Sequence, residues 1–98
     1  MDVRQDRIQH LQRSDGGEFV VMRDGHRVAE MTYSLSATTM AIDHTYVEPS
    51  LRRAGMGQRL VDAAVAWARA EHRRIVPICP FVKRVFDGSP GIYADVRA

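Results

Sequence analysis

Residues 46–60 read Tyr-Val-Glu-Pro-Ser-Leu-Arg-Arg-Ala-Gly-Met-Gly-Gln-Arg-Leu, and they separate two parts of the chain with different patterns. Before them, residues 39–47 alternate in the way that half-buried strands do. After them, apolar residues recur at helical spacing from Gln58 to His72. The sequence therefore predicts a strand, a glycine-rich turn and a helix in direct succession.

The turn contains the pattern Arg52-x-x-Gly55-x-Gly57, which is suited to binding an anion. In such a turn several backbone N–H groups point into one concavity, and the following helix adds the positive end of its dipole. The two glycines are expected to make room for a diphosphate, and Arg52, Arg53 and Arg59 to add positive charge. The alternative is a sharp turn whose arginines are merely solvated.

The flanking sequence predicts further strands and helices. Asp24-Gly25 is a hairpin dipeptide because both residues tolerate positive φ. Gly88 is expected to end the last helix, as glycine does at the position after a helix, and residues 92–98 read as a tail. The predicted strands are Ile8–Gln12, Glu18–Arg23, His26–Ser34, Thr39–Val47 and Ile75–Ile78, and the second predicted helix is Pro80–Asp87.

This order predicts an α+β fold in which an antiparallel meander leads into a right-handed β-α-β unit. The sheet should therefore be mixed, with the long helix packed on one face. Simple alternation in the fourth strand predicts that one set of side chains shares a face, namely Met40, Ile42, His44 and Tyr46, and that Ala41, Asp43, Thr45 and Val47 share the other.

Length and composition exclude several classes of protein. Ninety-eight residues predict a single domain, 1–98, and no apolar run approaches the roughly 20 residues of a membrane span. The N-terminal segment lacks the apolar core of a signal peptide, and one cysteine cannot form an internal disulfide. These features favour a reduced, cytoplasmic location and no membrane partner. The histidines have no spacing typical of metal ligands.

The charge distribution points to an anionic ligand on the C-terminal half. Residues 1–50 carry 5 Lys/Arg and 8 Asp/Glu, whereas residues 51–98 carry 9 Lys/Arg and 4 Asp/Glu. A nucleic-acid binder is the weaker interpretation, because the first half is acidic and no basic residues interleave with aromatic ones.

The Arg52–Gly57 loop resembles motif A of the GNAT acetyltransferases, Q/R-x-x-G-x-G/A. Together with residues 42–47, Leu60-Val61, Trp67-Ala68 and residues 75–82, it is similar to a small, YjdJ-like family of about 100 residues. The resemblance covers roughly Phe19 to Tyr93. It implies an abbreviated GNAT fold, in which the fourth and fifth strands splay apart and a short helix follows.

The same resemblance implies acetyl-coenzyme A as cosubstrate and an N-acetyltransferase activity on an undefined amine. A non-catalytic acyl-coenzyme A binding module is the alternative. The implied coenzyme site comprises Thr45, Tyr46, Val47, Arg52, Arg53, Ala54, Gly55, Met56, Gly57 and Gln58. The stretch between the first two strands is too short for the helices that usually enclose the acceptor. The acceptor side should therefore be open, which suits a protein or peptide amine.

Two side chains are candidates for catalysis. Cys79 precedes Pro80, and a cysteine at a helix N-terminus has more thiolate character, so it could accept the acetyl group. The alternative is that it is a small buried hydrophobe. The family resemblance implies the first role. His44 lies late in the fourth strand, where it could deprotonate an amine or Cys79; the alternative is a structural histidine.

Overall fold

A computed structural model describes residues 6–98; the first five residues of the predicted domain lie outside that range. The elements are β1 (Gln9–Arg13), β2 (Gly16–Arg23), β3 (His26–Leu35), β4 (Thr39–Val47), α1 (Pro49–Arg52), α2 (Met56–Ala70), β5 (Arg74–Pro77), α3 (Pro80–Gly88) and α4 (Pro90–Tyr93). No helix in the described part of the chain combines the length and apolarity needed to cross a membrane.

The five strands form one sheet in chain order. The first four are antiparallel, and β5 pairs with β4 in parallel. The mixed α+β fold predicted from the sequence is thus confirmed, and α2 packs on one face of this sheet.

The β2–β3 hairpin turns at Asp24 and Gly25, whose φ angles are 50° and 78°. Two successive left-handed residues match the twist of the flanking strands, as the dipeptide predicted. At its other end β2 begins at Gly16, two residues earlier than expected. Gly16 and Gly17 both pair with β3. A Cβ on Gly17 would lie 2.5 Å from the Tyr33 hydroxyl, so Gly17 makes room for that ring, and a Cβ on Gly16 would meet the Tyr33 carbonyl oxygen.

A β-bulge overturns the predicted alternation in β4. Tyr33 pairs with Ile42 and Thr32 with His44, which leaves Asp43 as an extra residue. Such a residue reverses the side-chain alternation of the strand. His44 is therefore on the opposite face from Ile42. The residues Met40, Ile42, Thr45 and Val47 face α2, and His44 and Tyr46 face away from it.

Helix α2 begins two residues before the predicted start. Gly55 precedes it with φ of 86°, in the left-handed region, and Met56 is already helical and fully buried. The face of α2 toward the sheet carries Leu60, Val61 and Ala64 at the predicted spacing. These side chains form the core with Met31, Tyr33, Met40, Ile42 and Ile75 from the strands.

The C-terminal segment is more ordered than a tail. Gly88 is the last residue of α3 rather than its terminator, and α4 follows at Pro90. Beyond α4 the chain runs beside β5, where the Ile75 N–H donates to the Val96 carbonyl. Tyr93 and Val96 are buried, so this segment covers one end of the core. Its apolar residues are too sparse to show a period in the sequence.

Candidate active site

An open groove of about 530 Å³ runs between the end of β4, the N-terminus of α2 and one face of α3. Its lining contains two arginines and no carboxylate. The lining residues are Thr45, Tyr46, Val47, Arg52, Gly55, Gly57, Gln58, Phe81, Arg84 and Val85.

The N-terminus of α2 opens into this groove. The first hydrogen bond of the helix runs from the Arg59 N–H to the Gly55 carbonyl. The N–H groups of Met56, Gly57 and Gln58 therefore have no acceptor within the helix, and Gly55 has no side chain to cap them. This arrangement is able to bind an anion through backbone N–H groups and the helix dipole.

Gly57 has a structural role that the motif alone does not reveal. A Cβ at this position would lie 2.7 Å from Cζ of Phe81. The absent side chain therefore lets the aromatic ring of α3 approach α2 and form part of the groove wall. Gly55 differs, because an added Cβ there would meet nothing within 4 Å and its positive φ is the constraint.

The three arginines of the motif point in different directions. Arg52 lines the groove, and its Nε donates to the Val47 carbonyl at 2.9 Å, which ties α1 to the end of β4. Arg59 donates to the Asp6 carbonyl at 3.0 Å, next to the Asp6–Arg23 ion pair. Arg53 is exposed and outside the groove lining, as is Ala54, and the Met56 side chain lies in the core.

Strands β4 and β5 diverge toward their C-terminal ends, where the groove lies. Their pairing ends at Ile42 and Pro77, and the last link across the gap is from the Cys79 N–H to the Ile42 carbonyl. Beyond Ile42, β4 has no strand partner on that side up to its end at Val47. The exposed edge of residues 45–47 is thus available to pair with an extended ligand.

Cys79 lies at the inner end of this gap. It precedes α3, and its Sγ is 3.5 Å from Oγ1 of Thr45, which lines the groove. The residue is 5 % exposed and packs with the core. The thiol is therefore separated from the groove by the Thr45 side chain.

His44 is on the other face of β4 and does not contact Cys79. Its Nε2 lies 3.1 Å from a carboxylate oxygen of Glu30 on β3, and its side chain is about half exposed. Asp43, at the bulge, accepts a hydrogen bond from Thr32 on the same face. The bulge thus separates the two candidate catalytic residues onto opposite sides of the sheet.

Residues 18–96 match the family model described as GCN5-related N-acetyl-transferase, which is most of the chain. The chain belongs to this family of acetyltransferases. The similarity to GNAT enzymes predicted from the Arg52–Gly57 loop is therefore confirmed; the assignment to the small YjdJ-like subgroup stays a prediction. No curated protein sequence matches the chain.

Solved structures give the same result for the fold of this acetyltransferase. A GCN5-like protein of Staphylococcus aureus, studied by NMR in solution, is 28 % identical with a TM-score of 0.72 over 92 % of this chain and 87 % of its own. The aminoglycoside N-acetyltransferase AAC(6')-Iy in complex with CoA is 20 % identical with a TM-score of 0.59, over 79 % of this chain and 60 % of its own.

A ribosomal-protein-alanine N-acetyltransferase of Brucella melitensis is 17 % identical with a TM-score of 0.57, over 79 % of this chain and 64 % of its own. At such low identity the last two likenesses show the fold alone. The acetyltransferase described here spans less than two thirds of either of those two enzymes.

Three groove residues lie outside the coenzyme site predicted from the sequence, namely Phe81, Arg84 and Val85. The helical spacing predicted Arg84 on the outward face of the second helix and Phe81 and Val85 on the inward face, with contact between Phe81 and the pantetheine arm as the alternative to core packing. They share one face of α3 because they are three and four residues apart. That spacing is visible in the sequence, but which face of a short helix lies along a groove depends on how α3 packs beside α2.

Proposed function

We propose that the protein transfers an acetyl group from acetyl-coenzyme A to an amine. The observation that carries this proposal is the groove itself, where the N–H groups at the start of α2 and the Arg52 guanidinium face the unpaired edge of β4. The N–H groups suit a diphosphate, and an open strand edge suits the two amides of a pantetheine arm. The CoA complex of AAC(6')-Iy, which shares the fold, supports the same ligand.

In this proposal the coenzyme extends along the groove and contacts the loop and strand residues that the sequence predicted. The diphosphate contacts the backbone of residues 53–58, and the pantetheine arm extends along Thr45, Tyr46 and Val47. The acetyl thioester then ends near Thr45, toward the inner end of the gap between β4 and β5. Family membership and the lining of the groove support this arrangement.

We propose Cys79 as the acceptor of the acetyl group within the protein. Its sulfur would attack the thioester carbonyl, the bond between that carbonyl and the coenzyme sulfur would break, and coenzyme A would leave as the thiol. The support is its position before α3 and its 3.5 Å contact with Thr45. Cys79 is 5 % exposed and its sulfur contacts the Thr45 hydroxyl, so the thiol must be uncovered before it can reach the thioester.

His44 belongs to the acceptor side in this proposal. It lies with Glu30 on the face of the sheet that α2 leaves uncovered, opposite the groove. An amine must lose a proton to attack a carbonyl, and the His44 imidazole is a group on this face that could take it. The open face supports an acceptor amine on a protein or peptide rather than an enclosed metabolite.

Calorimetry with coenzyme A, followed by an assay of thiol release from acetyl-coenzyme A with a panel of amines and peptides, tests the proposed function. We expect binding, and turnover with at least one amine above the rate of hydrolysis. Binding without turnover on any amine would favour a non-catalytic acyl-coenzyme A module. Absence of binding would overturn the proposal.

A further inference from the structure

Arg84 is the cation of the groove that the proposed chemistry leaves unused. It lies on α3, across the groove from the start of α2, on the same helix face as Phe81 and Val85. Within residues 6–98 its guanidinium has no hydrogen bond or ion pair. The neighbouring Lys83 differs, because its Nζ lies 2.8 Å from Asp87 and outside the groove lining.

The other hydrogen-bond donors at the groove are sufficient to bind a diphosphate without Arg84. The N–H groups of Met56, Gly57 and Gln58 and the side chain of Arg52 all lie on the α1–α2 side. Phe81, whose ring contacts Gly57, separates these groups from the next turn of α3. Arg84 is one turn further along α3, so it faces a part of the ligand beyond the diphosphate.

Coenzyme A carries a second anionic group beyond its diphosphate, on the side away from its thiol end. Beyond the diphosphate is a ribose with a 3′-phosphate, a monoester with a charge of about −1.5 to −2 at pH 7. A guanidinium matches the oxygens of such a group in a two-pronged hydrogen bond. No lining carboxylate competes for it.

Resting on the proposed function, we propose that Arg84 binds the 3′-phosphate of coenzyme A and so selects the acyl donor. The protein would discriminate against donors that lack this group, namely dephospho-coenzyme A and the phosphopantetheine arm of a carrier protein. Arg84 is then a specificity-determining residue on α3, separate from the glycine-rich loop.

The test measures the dissociation constants of coenzyme A and dephospho-coenzyme A by calorimetry in three proteins. These are the unmodified protein, Arg84→Ala, and Lys83→Ala, which removes the neighbouring cation of α3 outside the groove lining. We expect the unmodified protein and Lys83→Ala to bind coenzyme A about tenfold more tightly than dephospho-coenzyme A, a difference of about 1.4 kcal/mol. Arg84→Ala should lose this preference while its affinity for dephospho-coenzyme A is unchanged. Arg84→Lys should retain part of it.

Each other outcome overturns the inference in a distinguishable way. Equal affinity of the unmodified protein for both ligands would end the role of the 3′-phosphate and leave the proposed function intact. An equal loss for both ligands in Arg84→Ala would assign Arg84 to the diphosphate. If neither ligand binds the unmodified protein, the proposed function fails together with this inference.

Discussion

Gly55 and Gly57 flank the start of α2 for different physical reasons, and substitutions can separate them. Gly55 has a φ of 86° and open space around it, whereas Gly57 has a side chain of α3 against it. Alanine at position 55 therefore strains the backbone, and alanine at position 57 must displace the Phe81 ring. Gly88, with nothing within 4 Å of an added Cβ and no positive φ, provides a matched control.

We expect Gly55→Ala to lower the free energy of unfolding by roughly 1–2 kcal/mol, the cost of a left-handed non-glycine residue. Gly57→Ala should cost about 1–3 kcal/mol through overpacking and should weaken coenzyme A binding, because Phe81 moves into the groove. Adding Phe81→Leu should restore most of both losses for Gly57→Ala but none for Gly55→Ala. Denaturant unfolding and calorimetry measure these changes. Loss of binding in Gly88→Ala, or no rescue by Phe81→Leu, would contradict the assignment.

Cys79 and Lys83 are the only cysteine and the only lysine in the chain, which makes self-acetylation simple to assign. A thioester on Cys79 is removed by hydroxylamine, whereas an amide on Lys83 or the N-terminus is not. Incubation with acetyl-coenzyme A should add one acetyl mass that hydroxylamine removes, measured by intact mass. Cys79→Ala should lose the adduct and turnover but still bind coenzyme A, and Lys83→Arg should retain the adduct. Near-normal turnover in Cys79→Ala would show that the amine attacks acetyl-coenzyme A directly.

At the scale of the elements, α2 ends in a hydrogen-bonded pattern that normally takes glycine. His72 N–H donates to the Arg69 carbonyl and Arg73 N–H to the Ala68 carbonyl, while His72 itself has a φ of 55°. This is the Schellman motif with histidine at the left-handed position. His72→Gly should therefore raise the free energy of unfolding by about 1 kcal/mol. His72→Ala keeps the strain and should give no gain; an equal gain in both variants would contradict this explanation.

On the edge strand β1, which pairs with β2, His10 packs its side chain against the aromatic residues of the core. Its ring stacks on Phe19 at 4.0 Å between centroids, meets Trp67 edge-on, and forms a 2.5 Å hydrogen bond with the Tyr33 hydroxyl. Burial lowers the pKa of His10 below its usual range, because the charged imidazolium is poorly solvated there. The folded state therefore favours neutral His10.

Because the pKa of His10 is lower in the folded state, the unfolded chain takes up its proton first as the pH falls. The stability gained from neutral His10 is complete above the ordinary value of about 6.5 and is lost as the pH falls below it. We expect the urea midpoint to decrease between pH 7.5 and pH 5, and to decrease less in His10→Gln, which keeps a hydrogen-bonding group without a charge. The exposed His26 supplies a control for the substitution itself, since His26→Gln should leave the urea midpoint at pH 7.5 close to that of the unmodified protein. An unchanged dependence in His10→Gln would contradict this role.

The elements that the sequence predicts well are those determined by local chemistry. The Asp24-Gly25 turn and the apolar stripe of α2 act within a few residues, so their patterns are visible along the chain. The bulge at Asp43 is different: it depends on how β4 pairs with β3, and it moved His44 to the face opposite Cys79. The role of Gly57 likewise depends on Phe81, 24 positions later in the chain.

At the scale of the molecule, the sheet separates two chemical environments. The groove on the α2 side has two arginines and no lining carboxylate, and the opposite face presents Glu30, Asp43 and His44 around the bulge. Acidic residues from the first half of the sequence thus lie on one side of the sheet, and the two arginines from the second half lie on the other. An anionic coenzyme would approach the groove of opposite charge, whereas on the other face Glu30 is also ion-paired with Arg27.

This separation predicts how salt affects coenzyme A binding. Exposed charges are screened beyond about 8 Å at physiological ionic strength, so affinity should fall as salt is added. The sequence predicted that Arg52, Arg53 and Arg59 together add positive charge to the site, but of these three only Arg52 lines the groove. We expect Arg52→Gln to weaken binding and to flatten the dependence of the dissociation constant on salt concentration. Arg53→Gln, outside the lining, should change neither by more than about twofold.

Arg52→Lys separates charge from geometry in the same measurement, because lysine keeps the charge but has no Nε to donate to the Val47 carbonyl. We expect it to retain the salt dependence of the unmodified protein while binding coenzyme A more weakly, since the link between α1 and the end of β4 is lost. A salt dependence that is unchanged in Arg52→Gln, or equally reduced in Arg53→Gln, would mean that the field of the whole basic half attracts the coenzyme. The groove arginine would then have no special part in that attraction.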